Sequence, residues 1–289
     1  MPGPLHFQTP TALEYFATLV ADDASLSLIE AAVAIAQDEE PQLDTQSVLA
    51  DIDALADRLR RRLPSDASTL HRLRLLNNFF FQELGFAGNV NNYYDIGNSH
   101  LSTVLRTRRG IPITLAVLYI ELATQIGLTA RGVSFPGHFL IKLRMSEGEV
   151  VIDPFTGQSL SREQLDELLL PYRRSHGLTG DFDVPLGLFL QAAPSRDVLA
   201  RMLRNLKEIH RSAEDWPRLL AVLDRLVILL PQAWEERRDR GFAHAELGHA
   251  QAALDDLTHY LAHATEAPDR SMVHARVAEM KQSGLDRLH

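Results

Sequence analysis

Residues 112–126 constrain this 289-residue chain more than any other stretch. Pro112-Ile113-Thr114-Leu115-Ala116-Val117-Leu118-Tyr119-Ile120-Glu121-Leu122-Ala123-Thr124-Gln125-Ile126 carries one charged residue, Glu121, and Gly127 follows. Proline suits the first turn of a helix, where an N–H would have no partner, and glycine suits the position just past the end. The apolar residues run round the whole circumference rather than along one stripe. A helix of that kind has no face to give to water and belongs in the middle of a domain.

The flanking pattern says what covers it. Helical spacing predicts helices over 11–21 and 25–38, the second with Leu28, Ala31, Ala32, Ile35 and Ala36 on one stripe. Asp44 caps a third helix, along which Val48, Ile52, Leu55, Leu59 and Leu63 recur. A fourth is expected over 67–83, ending at Gly85. Residues 85–97, rich in Gly, Asn, Tyr and Asp, read as an ordered loop for which Phe86, Tyr93 and Tyr94 offer anchors. Asn98 or Ser99 then caps a helix to about Arg106. After Gly127 the period changes to short β-rich runs at 130–134, 138–144 and 149–153, the last two joined by a turn at Ser146-Glu147-Gly148. Ser161 opens a helix expected to end near Pro171, and the Gly- and Pro-dotted residues 173–194 read as a connecting segment. The fold class is therefore an α+β core, a central buried helix against a small antiparallel sheet, behind an N-terminal helical region.

The last third is helical and repeats. An offset of 34 residues lays Leu219 on Ala253, Leu223 on Leu257, Leu226 on Tyr260 and Lys207 on Gly241. That period, with small residues at Gly241, Gly248 and Ala253, predicts one to two tetratricopeptide (TPR) hairpins and a final helix from about Ser271. The expected division is 1–66 N-terminal helical region, 67–175 core, 176–194 linker and 195–289 all-α TPR-like domain.

Charge and composition exclude several classes of function. A net charge of −9 and a pI near 5.7 run against nucleic-acid binding, which needs a basic face, and against docking on anionic lipid. Two local basic runs stand out, Arg58-Leu59-Arg60-Arg61-Arg62 and Arg106-Thr107-Arg108-Arg109; the first reads as a solvated helix face. The chain has no cysteine, which removes disulfides, zinc–thiolate sites and thiol catalysis. Its histidines show no metal-ligand spacing, so neither metal nor cofactor is expected; those of the last third, such as His244, His249, His259 and His263, are expected at the surface. No stretch reaches the ~18 apolar residues of a membrane span, and the first residues lack a signal-peptide pattern. The expectation is a cytoplasmic protein.

The chemistry lies between residues 98 and 154. His138 is expected at the start of one strand and Asp153 at the end of the next, close together across a hairpin. An imidazole beside a carboxylate is how a general base is oriented. Pro112 starts a helix whose N-terminal dipole lowers the pKa of a nearby nucleophile. A helix start, a histidine and an aspartate, in that order, resemble the parts of a papain-like or transglutaminase-like triad. Asn98, Ser99, Arg108 and Arg109, just before the buried helix, read as a pocket for a peptide or small anion, or as caps and surface charges. Glu30 and Glu121, in apolar surroundings, are expected paired or at a rim.

Several blocks together resemble the bacterial SirB family, which joins a transglutaminase-like domain to a TPR tail. They are Asn77-Asn78-Phe79-Phe80-Phe81-Gln82-Glu83-Leu84-Gly85-Phe86, Gly88-Asn89, Tyr93-Tyr94-Asp95, Asn98-Ser99, Arg109-Gly110-Ile111-Pro112-Ile113-Thr114-Leu115, Gly132-Val133-Ser134-Phe135-Pro136-Gly137-His138-Phe139 and Asp153-Pro154-Phe155. The resemblance implies Cys, His and Asp roles, with His138 and Asp153 in the last two and Thr114 where the thiol would stand. A threonine hydroxyl, with a far higher intrinsic pKa, does not deprotonate as a thiol does. Two readings follow. One is a non-catalytic protein that binds a protein or peptide partner through its cleft, with Asn98, Ser99 and Arg109, and through its TPR tail. The other is a peptidase, amidase or acyl-transfer enzyme with Thr114 as nucleophile, His138 as base and Asp153 as orienter.

Overall fold

The computed structural model describes residues 10–178 and 184–286. They form two compact units, the described residues of 23–202 and those of 1–22 together with 203–289. This partition differs from the four expected segments. The first helix, α1 (Ala12–Leu19), goes with the C-terminal helices, and the division between Met202 and Leu203 falls inside a single helix.

In the larger unit, α2 (Leu28–Ala34) is capped by Ser27 and runs into a 3₁₀ turn at Ile35–Asp38. Asp44 caps α3 (Thr45–Arg60) through the backbone N–H groups of Gln46 and Ser47, at 3.0 and 3.3 Å. Helix α4 (Thr69–Asn77) widens into a π turn, Asn78–Glu83, where three consecutive phenylalanines must be placed. Phe80 stacks on Phe86 at 4.3 Å, so Phe86 does anchor the loop that follows. Tyr93 and Tyr94 do not, being 45% and 79% exposed. Amides hold that loop instead: Asn89 Nδ2 donates to Asn98 Oδ1 at 3.0 Å, and Asn98 Nδ2 donates to the carbonyls of Asn92 and Tyr93.

Helix α5 (Leu101–Thr107) begins at His100 with no side-chain cap. Asn98 and Ser99 are therefore not its caps; they lie, buried, in a 3₁₀ turn at Ile96–Ser99 that Asp95 caps. Strand β1 (Ala87–Gly88) pairs in parallel with β2 (Arg109–Gly110), and α6 (Pro112–Gln125) follows. As its composition requires, α6 is buried over most of its surface, packed by α2, α3, α4 and α5 on one side. Its other side meets an antiparallel sheet of β3 (Thr129–Val133), β4 (Leu140–Met145), β5 (Gly148–Ile152) and β6 (Ser159–Leu160), in that order. Ile141 faces Ile152 and Met145 faces Gly148, so the β4–β5 turn is Ser146-Glu147.

Helix α7 (Arg162–Ser175) has the capping box of Ser161 and Gln164. Pro171 does not end it, because Leu165, Leu169 and Tyr172 anchor the same helix face on both sides of the one lost hydrogen bond. The expected linker 176–194 is also more than a tether. Within it, α8 (Leu186–Phe189) places Leu186, Phe189 and Leu190 against Val133, Phe135 and Leu140 of the core. Residues 179–183 of that segment lie outside the described residues.

Helix α9 (Ser195–Ser212) leads to the smaller unit, where α10 (Trp216–Leu229) and α12 (Ala250–His263) are matched by the 34-residue offset at both ends. Between them lies α11 (Trp234–Glu246), and α13 (Arg270–Asp286) closes the array. The superimposed pairs Leu219/Ala253, Leu223/Leu257 and Leu226/Tyr260 are all buried. A Cβ on Gly241 would lie 2.8 Å from Leu257 Cγ, which is why a small residue is needed where α11 crosses α12. The first copy has Lys207 at that place, buried with its ammonium on Glu236 and Asp239, both at 2.6 Å. Helix α1 covers α10; Phe16 is fully buried there beneath the guanidinium of Arg225. Burial pushes the pKa of Arg225 down to about 10.

Candidate functional site

The start of α6 is closed, and the reason is local. Ile111, the N-cap residue, has no side chain able to accept from the first turn. Thr114 stands one turn in, and its side chain returns toward the end of the helix. It is fully buried, with Oγ1 2.8 Å from the carbonyl oxygen of Asn98 and 3.0 Å from that of Ile111. A hydroxyl has one proton to donate, so it serves one of these acceptors at a time. Gly110 seals the other side: a Cβ there would sit 2.8 Å from Thr114 Oγ1 and 3.1 Å from the Val104 methyls. Only a residue without a side chain lets β2 pass so close to the threonine.

His138 lies outside the sheet rather than at the start of a strand. Phe135-Pro136-Gly137-His138 is a turn, with proline at its second position, Gly137 at φ +72° and the His138 N–H donating to the Phe135 carbonyl at 2.9 Å. That is the residue order a type II turn demands. The imidazole is half-buried, its ring centroid 6.4 Å from that of Phe135.

Asp153 follows β5 and organises the turn into β6. Oδ1 accepts from the Phe155 N–H at 2.8 Å and Oδ2 from Thr156 Oγ1 at 2.9 Å. Its own N–H and carbonyl bond to Gln158 and Gly157. This is the local side-chain-to-backbone bonding at which aspartate excels. Among the described residues no hydrogen bond or ion pair joins His138 to Asp153 or to Thr114. The fold joins Thr114 to Asn98, through the latter's carbonyl. Arg109 is exposed and donates from Nη1 to the carbonyls of Gly85 and Arg108, at 2.7 and 2.9 Å.

Sequence reasoning missed two contributors. Asn89 pairs with Asn98 and so helps shape the wall of the loop; the Asn-rich composition and the Gly88-Asn89 block marked the stretch but not this pairing. His100 is buried 3.7 Å from the Glu39 carboxylate, and nothing in the local pattern marks it. Glu30 and Glu121 each accept from a glutamine amide, Gln46 and Gln125 respectively. Among the described residues no group of three or more His, Cys, Asp or Glu could hold a metal ion, and no helix is long and apolar enough to cross a membrane.

Comparison with known proteins agrees with this architecture. A family model described as the transglutaminase-like superfamily matches residues 46–204, and one described as tetratricopeptide repeat matches residues 206–278. A UPF0162 protein of Xylella fastidiosa is 39% identical over 241 residues, 83% of this chain and 85% of that protein. A UPF0162 protein of Vibrio cholerae is 26% identical over 269 residues, 93% and 97% of the two chains. The UPF0162 protein YchA of Escherichia coli is 25% identical over 237 residues, 81% and 85%. No solved structure matches. The α+β unit around α6, the repeat in register at 34 residues and these relatives lead to one assignment: the chain belongs to the transglutaminase-like superfamily, as a UPF0162 protein with a tetratricopeptide region after its core.

Proposed function

We propose that this protein keeps a transglutaminase-like fold without its catalysis and works in the cytoplasm as a protein-interaction or regulatory component. Partners are bound through the cleft of that fold and through the TPR tail. The shared motif blocks favour the narrower SirB group. The observation that carries the proposal is the hydroxyl of Thr114, fully buried and turned to main-chain carbonyls. A nucleophile needs access to substrate and a base within hydrogen-bond reach, and this hydroxyl has neither. The Asp153 carboxylate supports the same reading, since it braces its own turn instead of an imidazole. TPR hairpins stack to present extended binding surfaces, which suits a partner-binding role. Of the polar residues before α6, the exposed Arg109 is assigned to partner contact, while the buried Asn98 and Ser99 shape the loop.

The test is an activity screen with amide and acyl-transfer substrates on the full chain and on His138→Ala. The expected result is no rate above the uncatalysed background for either protein. Turnover by the wild type that disappears in His138→Ala would replace this reading with that of a hydroxyl-nucleophile enzyme.

A further inference from the structure

The two basic runs of the sequence meet at one groove. Arg58 stands near the end of α3, Arg106 on the last turn of α5 and Arg108 at the C-cap of α5. All three line a cavity of about 430 Å³ between these helices, together with Asp51 and with apolar groups such as Leu55 and Leu105. Of the other arginines of these runs, Arg60 pairs with Asp57, Arg62 with Glu83, and Arg109 donates to Gly85, while Arg61, away from the groove, has neither an ion pair nor a side-chain hydrogen bond among the described residues. At the groove the contacts are aromatic instead. Arg58 lies over the Phe79 ring at 5.3 Å and Arg108 over Phe86 at 4.7 Å. Among the described residues, none of the three forms an ion pair or donates a side-chain hydrogen bond, and Nη1 of Arg108 is buried without a partner. Ser102, also on the wall, donates to Glu40 at 3.1 Å. Burial and the charge of Arg58 lower the pKa of Arg108, and Asp51 offsets this in part.

The backbone at Arg108 is a second, independent sign. With φ 61° and ψ 20° it is left-handed, the conformation in which helices commonly end on glycine. Among the described residues only Glu214 shares a positive φ without being glycine. The chain places an arginine where glycine would fit more easily, and that arginine lines the groove. Strain of this kind clusters at binding sites.

We propose that the groove between α3 and α5 binds a small organic dianion, the chemistry shared by a phosphomonoester and a dicarboxylate. Three guanidiniums against the one lining carboxylate leave two positive charges to be neutralised. The planar guanidinium fork takes either anion by paired hydrogen bonds, and the apolar floor takes the organic part. None of Thr114, His138 and Asp153 lines this groove, so its ligand is separate from any partner at the triad-like positions.

The test uses the full chain with phenyl phosphate and with phthalate, by calorimetry and thermal shift, against sodium chloride of matched ionic strength. At least one compound should bind saturably and raise the Tm. Arg108→Gly and Arg58→Ala should each weaken that binding at least about tenfold, while Arg108→Gly alone keeps or raises the Tm without ligand. Binding of phenyl phosphate alone marks a phosphomonoester site, and binding of phthalate alone a dicarboxylate site. The proposal is overturned if neither compound exceeds the chloride control, or if both variants bind like the wild type. Should Arg108→Gly fail to fold, Arg58→Ala, on an exposed helical position, decides by itself.

Discussion

Thr114 and Arg108 are near neighbours in sequence, yet their polar atoms end in opposite situations. At the start of α6 the hydroxyl is sealed beneath Gly110 and turned to backbone carbonyls. At the groove between α3 and α5, three arginines line a cavity, and Nη1 of Arg108 is buried without a hydrogen-bond partner. Buried polar groups are normally hydrogen-bonded. A satisfied group has little to offer a ligand, and an unsatisfied one has its bonding capacity in hand. Under the two proposals, the motif-bearing place is the chemically quiet one and the place that resembles ordinary surface charge is the chemically open one.

The contrast can be broken at several points. The largest effect is expected for Gly110→Ala, whose Cβ must displace both Thr114 and Val104. A loss of about 2–3 kcal/mol is expected from overpacking, measured by urea unfolding. A neutral result would mean that the seal over Thr114 yields easily, which a reactive hydroxyl would need. Asp153→Ala removes the bonds to Phe155 N–H and Thr156 Oγ1 and should cost about 1–2 kcal/mol. An unchanged unfolding midpoint would free this carboxylate for another task. Thr114→Val keeps the shape and removes the donor. Because the Asn98 carbonyl still accepts from Ile111 and the Ile111 carbonyl from Leu115, only about 1 kcal/mol should be lost. Arg108→Gly should stay within about 0.5 kcal/mol of wild type. Relief of the left-handed backbone, roughly 1 kcal/mol, offsets the lost contact with Phe86. A loss well above that would make the arginine structural.

Much of this was legible because period and punctuation carry it. Pro112 and Gly127 bracket α6 closely, and the 34-residue offset fixes the register of α10 on α12. What was not legible depends on partners distant in sequence. The helical period of residues 11–21 shows that Phe16 is covered but not that α10 covers it. Two-residue strands such as β1 and β2 are too short to leave a pattern. Leu186, Phe189 and Leu190 were hidden among the glycines and prolines that made their segment read as a linker. At the site, the order of Thr114, His138 and Asp153 was readable, but what each side chain bonds to was not. The Pro136-Gly137 turn takes His138 off the strand, and Asp153 finds nearer donors in its own turn.

The claim that the triad-like positions are structural is tested most directly by Thr114→Cys. The chain has no other cysteine, so every reacted thiol reports on this one position. Its rate of alkylation by iodoacetamide at neutral pH, in the folded protein, should be far below that of a free thiol, because the position is buried and no base faces it. A rate above that of a free thiol, falling when His138→Ala is added, would contradict the account.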